Sequence, residues 1–174
     1  MRAVLRQPPS AVSRACVWPT IKSFLPPRLS SSRRRRPRLT TVAAALKGYA
    51  GIIVSAMVPG AGGYELKRDD ATSAAEQLAR LMPKGRVVTA FASISSPLIR
   101  EPARGETPTV FTCADDKAAR STVIALANEI GFEGMDAGHL DASRNIENLA
   151  LLVGQLAYGS GFGNRVSLRA FVAP

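Results

Sequence analysis

From residue 51 onward the apolar and polar positions fall into short, regular blocks. Residues 51–58 (GIIVSAMV) form a continuous apolar run of strand length, closed by Pro59 and Gly60. A loop follows that holds Gly60, Gly62, Gly63, Lys67, Arg68, Asp69 and Asp70. Ser73 and Glu76 have the S-x-x-E spacing of a capping box, in which each residue satisfies a free amide of the other. Ala71, Ala74, Ala75, Leu78, Leu81 and Met82 then recur at helical spacing until Pro83 stops them. Residues 86–91 (RVVTAF) read as a second strand, and residues 109–113 (TVFTC) as a third, after the turn-rich stretch 102–108. Asp115 or Asp116 caps a helix whose apolar stripe is Ala119, Val123, Leu126, Ala127 and Ile130. Gly131 stands where a left-handed residue ends that helix. Residues 132–137 read as a short fourth strand. A last helix runs over about 142–158, with Asp141 as its N-cap and Gly159 as its stop. Strands that alternate with helices, most of them apolar throughout, predict an α/β fold with a parallel sheet covered on both faces.

The first 41 residues do not share this order. Prolines at 8, 9, 19, 26, 27 and 37 break any helical period, and residues 32–38 read SRRRRPR. Charge divides at the same place. The formal net charge is +10, yet residues 1–64 carry 11 Lys/Arg and no acid, whereas residues 65–174 carry 12 Lys/Arg against 13 Asp/Glu. The basic character therefore belongs to a terminus, and the chain as a whole does not read as a basic nucleic-acid-binding fold. The division expected is a disordered, basic Pro/Ser/Arg-rich extension over 1–41 and a packed unit over 42–174. With 46% apolar residues, the chain has enough to build a core. Three readings of the extension stay open: an organelle transit peptide, a nuclear-localisation or nucleic-acid patch, or a stretch without a role of its own. The compartment expected is accordingly the cytoplasm, or an organelle if residues 1–41 are a transit peptide. Residues 41–59, the longest apolar stretch, are interrupted by Lys47 and several glycines, so no membrane span is expected.

Chemistry-bearing motifs are sparse. Cys16 and Cys113 are the only cysteines and His139 is the only histidine, which suggests neither a disulfide framework nor a metal site. Residues 159–163 (GSGFG) follow a helix, whereas a dinucleotide fingerprint needs a strand before its glycines and a helix after them. The glycines at 60–63 do follow a strand, but the helix begins about ten residues later. Ser93, Ser95 and Ser96 lie at a strand end without the G-x-S-x-G pattern. His139 reads as a loop or capping residue, and the Asp115–Asp116 pair reads as capping with a paired-carboxylate role as the minor alternative.

The order of segments is more informative than any one of them. LKGYAGIIVSAMVPG (46–60), SAAEQLARLMPKGRVVTAF (73–91), TVFTCADDKAA (109–119), IGFEGMDAGHLDASRNIENLALL (130–152) and AYGSGFG (157–163) follow one another with little intervening sequence. This succession resembles the C-terminal part of the coenzyme F-420-dependent NADP oxidoreductase family, whose members use a 5-deazaflavin. The resemblance implies a partial doubly wound, Rossmann-like sheet that lacks its first βαβ unit, because nothing in residues 1–41 supplies a G-x-G-x-x-G segment. It further implies NADP(H) and a deazaflavin as cofactors, with no metal. Pro59, Phe91 and Ile94 would be apolar walls beside the two stacked rings, with Ala92 following Phe91. Ala92 departs from the family, which often has Asn or His there, and Asn148 and Ala150 stand where some members have small hydroxyl residues near the nicotinamide.

Hydride transfer asks little of the protein beyond holding two rings in contact in a dry pocket. Phosphate binding asks more, since its backbone cradle belongs to the βα unit the chain lacks. The expected function is therefore that of an oxidoreductase-family protein, inactive alone if that cradle is required. The alternative is a non-catalytic α/β binding or interaction module of the same fold. Removal of the first strands would also make residues 51–58 a sheet edge, and self-pairing into a homodimer or local disorder is the expected result. Small redox cofactors are the other partners expected; nucleic acid is not.

Overall fold

A computed structural model describes residues 39–56, 72–101 and 105–173, and all of them fall within one compact unit. The order of elements is helix α1 (Leu39–Ala45), strand β1 (Ile52–Ser55), α2 (Ala74–Leu81), β2 (Arg86–Thr89) and α3 (Ser96–Arg100). Then come β3 (Thr109–Thr112), α4 (Lys117–Glu129), β4 (Glu133–Asp136), a 3₁₀ turn (Leu140–Ala142) and α5 (Ser143–Gly154), which runs into a π turn (Gln155–Gly159). Strands alternate with helices, as the apolar blocks predict.

The strands form two two-stranded sheets, each part of a βαβ unit. β1 and β2 pair in parallel with Ile53 opposite Val87 and Ser55 opposite Thr89. β3 and β4 pair in parallel with Val110 opposite Gly134 and Thr112 opposite Asp136. The two ladders meet at their carboxyl ends through an antiparallel bridge, in which Thr89 and Cys113 exchange both backbone hydrogen bonds at 2.9 and 3.1 Å. Parallel pairing within each unit matches the expectation; the antiparallel seam between them departs from it, since a single bridge at the strand ends leaves no mark on the apolar pattern.

Both faces of β2 are covered. Val87 packs with Ile53, Leu78, Met82 and Leu140 beneath α2, while its neighbour Val88 packs with Val110, Val123 and Phe132 beneath α4. Successive residues of a strand point to opposite faces, so the run Val87–Val88–Thr89 is buried on both. α4 lies close on β4 because Gly134 has no side chain: a Cβ there would stand 2.8 Å from the Ile124 carbonyl oxygen. The last turn of α4 adds a hydrogen bond of 2.8 Å from Gly134 N–H to Asn128 Oδ1.

Several boundaries differ from the pattern-based ones. Residues 51–58 yield a strand only over Ile52–Ser55, while Met57, Val58, Pro59, the 60–63 glycines and Ala71 lie outside the described residues, as do residues 1–38. β2 ends at Thr89 because Phe91 takes φ +60°, a left-handed conformation that ends the strand and starts the turn closed by Ile94 N–H to Phe91 O at 3.1 Å. The division at residues 41 and 42 falls inside α1, whose Leu39 and Ala43 pack against the α2 side of β1. Asp141 is not the cap of α5. It lies within the 3₁₀ turn, which continues straight into the helix from Ala142, and no side chain caps α5. Instead Asp115 Oδ1 accepts Leu140 N–H at 3.0 Å at the head of that turn. Asp116 caps α4, accepting Ala119 N–H at 2.8 Å, so the two aspartates serve two different elements. No helix among the described residues is long and apolar enough to cross a membrane.

Candidate functional site

The carboxyl ends of the strands converge on the seam between the two ladders, the position at which open α/β sheets bind ligands. Ser55 and Thr89 stand side by side there, and the backbone bridge carries the row on to Cys113. All three are buried. Among the described residues the Ser55 hydroxyl has no hydrogen-bond partner, and the Thr89 hydroxyl has only the Cys113 sulfur beside it. Burial pushes the Cys113 thiol up to about 11, so it stays protonated and behaves as a small apolar residue.

Beyond β2 the chain passes through Phe91, Ala92 and Ile94. The Phe91 ring is half-buried and meets the Phe132 ring edge-on, with centroids 6.1 Å apart and planes at 83°. Ala92 is likewise half-buried. Ile94 is 6% exposed and belongs to the core with Val88, Leu98 and Val110, so it supports the turn from below. On α5, Ala150 is buried whereas Asn148 is exposed. Pro59 lies outside the described residues. Phe91, Ala92 and Ile94 are thus brought together by one turn; Asn148 and Ala150 belong to a separate helix, which docks on the start of α2.

That docking is polar. α2 begins with the capping box expected from sequence: Glu76 N–H donates to Ser73 Oγ at 3.0 Å, and Ser73 N–H donates to Glu76 Oε2 at 2.7 Å. The first two helical amides are taken by α5 instead, since Ala74 N–H and Ala75 N–H donate to the two carboxylate oxygens of Glu147 at 3.0 and 3.1 Å. Ser143 Oγ and Ser73 Oγ share a hydrogen bond of 2.5 Å, and the Arg144 guanidinium holds both oxygens of Glu76 at 2.6 and 2.8 Å. The hydrogen bonds from Arg144, aided by those from Ser73, bring the Glu76 carboxyl down to about 2. Glu147, 2% exposed, is shifted the other way: burial raises it, against the two backbone donors that lower it.

Beside this junction an open cleft of about 410 Å³ lies between α2 and the loops that follow β3 and β4. Glu76, Arg80, Asp115, His139 and Asp141 line it. His139 Nδ1 and Asp115 Oδ1 are 3.6 Å apart and both side chains are largely exposed, which suits a solvent-facing pair. Among the described residues no group of three or more His, Cys, Asp or Glu is placed to hold a metal ion. On the other side of the seam Arg120 is buried, with Nε 2.8 Å from Asp136 Oδ1 and Nη1 donating to the Ala114 carbonyl, and it ties the ends of β3 and β4 together. Sequence reasoning missed Glu147, Arg144 and Arg120. Each is an ordinary charged position on a helix until its partner, from 6 to 73 residues away, is known.

No protein-family profile matches the chain. Among curated proteins, human metalloreductase STEAP2 is 35% identical over 79 residues, or 45% of this chain and 16% of its own length. The F420-dependent NADP reductase of Methanocaldococcus jannaschii is 32% identical over 99 residues, or 55% of this chain and 44% of its own. The chain thus spans less than half the length of these curated relatives. Among solved structures, a provisionally assigned F420-dependent NADP reductase from Arthrobacter superposes with a TM-score of 0.65 at 25% identity, covering 77% of this chain and 63% of that one. A Sinorhizobium meliloti protein, with a TM-score of 0.53 at 21% identity, shares the fold alone. The resemblance to the coenzyme F-420-dependent NADP oxidoreductase family, carried in the sequence by the order of its segments, is therefore found again both in a curated relative and in a solved fold, over part of the chain.

Proposed function

We propose that this chain is the strand-end portion of an NADP(H)-linked oxidoreductase domain, in which a hydride passes between a nicotinamide and a deazaflavin. The observation that carries the reading is the likeness to two F420-dependent NADP reductases, one by sequence and one by fold. When bound, the nicotinamide would give or take the hydride. The residues present fit such a group in part. Phe91 and Ala92 offer a half-buried apolar turn at the strand end, with Ile94 fixing it from the core. Ala150 and Asn148 are the α5 positions proposed to lie near the ring. A phosphate cradle is another matter, because the first-turn amides of α2 are occupied by Glu147 and Ser73.

Two further points belong to the same proposal. The reductases are named for F420 and NADP, while the STEAP relatives are metalloreductases, so the redox partner of the nicotinamide is proposed as the deazaflavin, with a metal ion as the competing substrate. β1 pairs on one side only among the described residues, and Val54 on it is 40% exposed, which favours self-association through that edge. The second reading, a non-catalytic module of the same fold, is favoured by the occupied α2 amides. Titration of NADPH against the protein, followed by its fluorescence, separates the two: saturable binding below millimolar supports the oxidoreductase, and no binding at millimolar cofactor sinks it. Sedimentation of wild type and Val54→Lys tests the edge, with a dimer in the first and a monomer in the second as the expected pair.

A further inference from the structure

We propose that Glu147 is a latch that fixes helix α5 to the N-terminus of α2, and so sets the position of Asn148 and Ala150. An α-helix begins with amides that have no acceptor within it. In α2 these are accounted for completely: Ala74 and Ala75 by the two oxygens of Glu147, Glu76 by Ser73 Oγ, and Gln77 by the Ser73 carbonyl, the first bond of the helix proper. The capping box alone satisfies one of the first three amides. The other two depend on a residue more than seventy positions away in sequence, buried to 2% exposure.

The contact is made by one face of α5. Ser143, Arg144 and Glu147 are spaced at three and four residues, so they share a side of the helix. Each meets the first turn of α2, at Ser73, Glu76 and the backbone of Ala74 and Ala75. Charge is balanced across the junction, since Arg144 lies against Glu76 and leaves the partial positive charge of the helix start to Glu147. Asn148 directly follows the latch and Ala150 lies three residues beyond it. A helix held by polar bonds at one end can be released there while its apolar side stays packed, which is the design of a hinge. Glu147 is thus a positioning residue, distinct from any group that touches a cofactor.

Amide hydrogen exchange on the cofactor-free chain tests this apart from any NADP chemistry. In Glu147→Ala, the amides of Ala74 and Ala75 and those of α5 are expected to exchange about tenfold faster or more, while α4 keeps its protection. Millimolar acetate, but not chloride at equal ionic strength, should restore the protection by refilling the vacated acceptor site. Unchanged exchange in α5, or a loss shared equally by α4, overturns the latch. If Glu147→Ala does not fold, Glu147→Gln carries the test: with one acceptor oxygen it should lose protection at one of the two α2 amides, and wild-type protection at both overturns the proposal.

Discussion

The two sides of the sheet are held by different physics. Beneath α4, Val88, Val110, Val123 and Phe132 pack with almost no access to water, and the strength there is burial of apolar surface. At the junction of α2 and α5 the contact is made by a serine pair, a guanidinium on a carboxylate and a carboxylate on two backbone amides. Apolar packing is non-directional and tolerates small shifts, whereas the junction requires each donor to meet its acceptor. The difference teaches that the first region supplies stability and the second supplies position.

Substitutions should separate the two regions by size of effect. Phe132→Ala empties a buried ring site and removes the edge contact with Phe91; a loss of about 3–5 kcal/mol in urea unfolding is expected, with the whole unit affected. A loss below about 1 kcal/mol would place the main core elsewhere. Glu147→Ala should cost about 2 kcal/mol, because two amides lose their acceptor while little apolar surface is lost. Ser73→Ala should cost about 1 kcal/mol by the same measurement, since it removes the cap and the serine pair but leaves Glu147 in place.

The two carboxylates of the junction should also respond to pH with opposite sign. Glu76 holds its proton more weakly in the folded chain, about 2 against an ordinary 4.5, so its stabilisation is full above 4.5 and is lost as pH falls towards 2. Glu147 holds its proton more tightly when folded, so its contribution is full below the ordinary value and declines as pH rises through the raised one. The stability gap between wild type and Glu76→Gln should therefore widen as pH rises, and that for Glu147→Gln should narrow. Parallel behaviour of the two gaps in unfolding curves between acid and neutral pH would show that burial does not govern Glu147. The smallest effect belongs to Asn148→Ala, an exposed side chain on α5, which should change stability by less than about 0.5 kcal/mol. If it weakens NADPH binding at unchanged stability, the α5 face proposed for the nicotinamide gains its first direct support.

Much of the local structure was legible along the chain. The Ser73–Glu76 box, the cap at Asp116 and the left-handed Gly131 each depend on residues within four positions of one another, so spacing alone carries them. The apolar runs around Val88 and Val110 form strands buried at successive positions, as a strand covered on both faces requires, whereas the run around Ile53 forms a strand that leaves Val54 exposed. Phe91 shows the limit: nothing in its neighbourhood announces a left-handed φ, so the apolar pattern runs two residues past the end of the strand. Asp141 shows another. An aspartate before a helix is a sound N-cap in isolation, yet a 3₁₀ turn already fills that place.

The candidate site divides the same way. Phe91, Ala92 and Ile94 are named through the resemblance that the segment order carries, and the turn that joins them is seen only in the structure. The seam of Ser55, Thr89 and Cys113, the buried Arg120 and the Glu147 latch could not be named from sequence, because each joins groups far apart in the chain. What the amino-acid sequence determined by itself was the alternation of strands and helices and their local caps, since these follow from period and short-range hydrogen bonding. The direction in which the two ladders meet, and the carboxylate that closes α2, were decided only by tertiary structure. A backbone amide carries no side-chain signature of its partner, and a buried charge finds its place only once the fold has brought that partner to it.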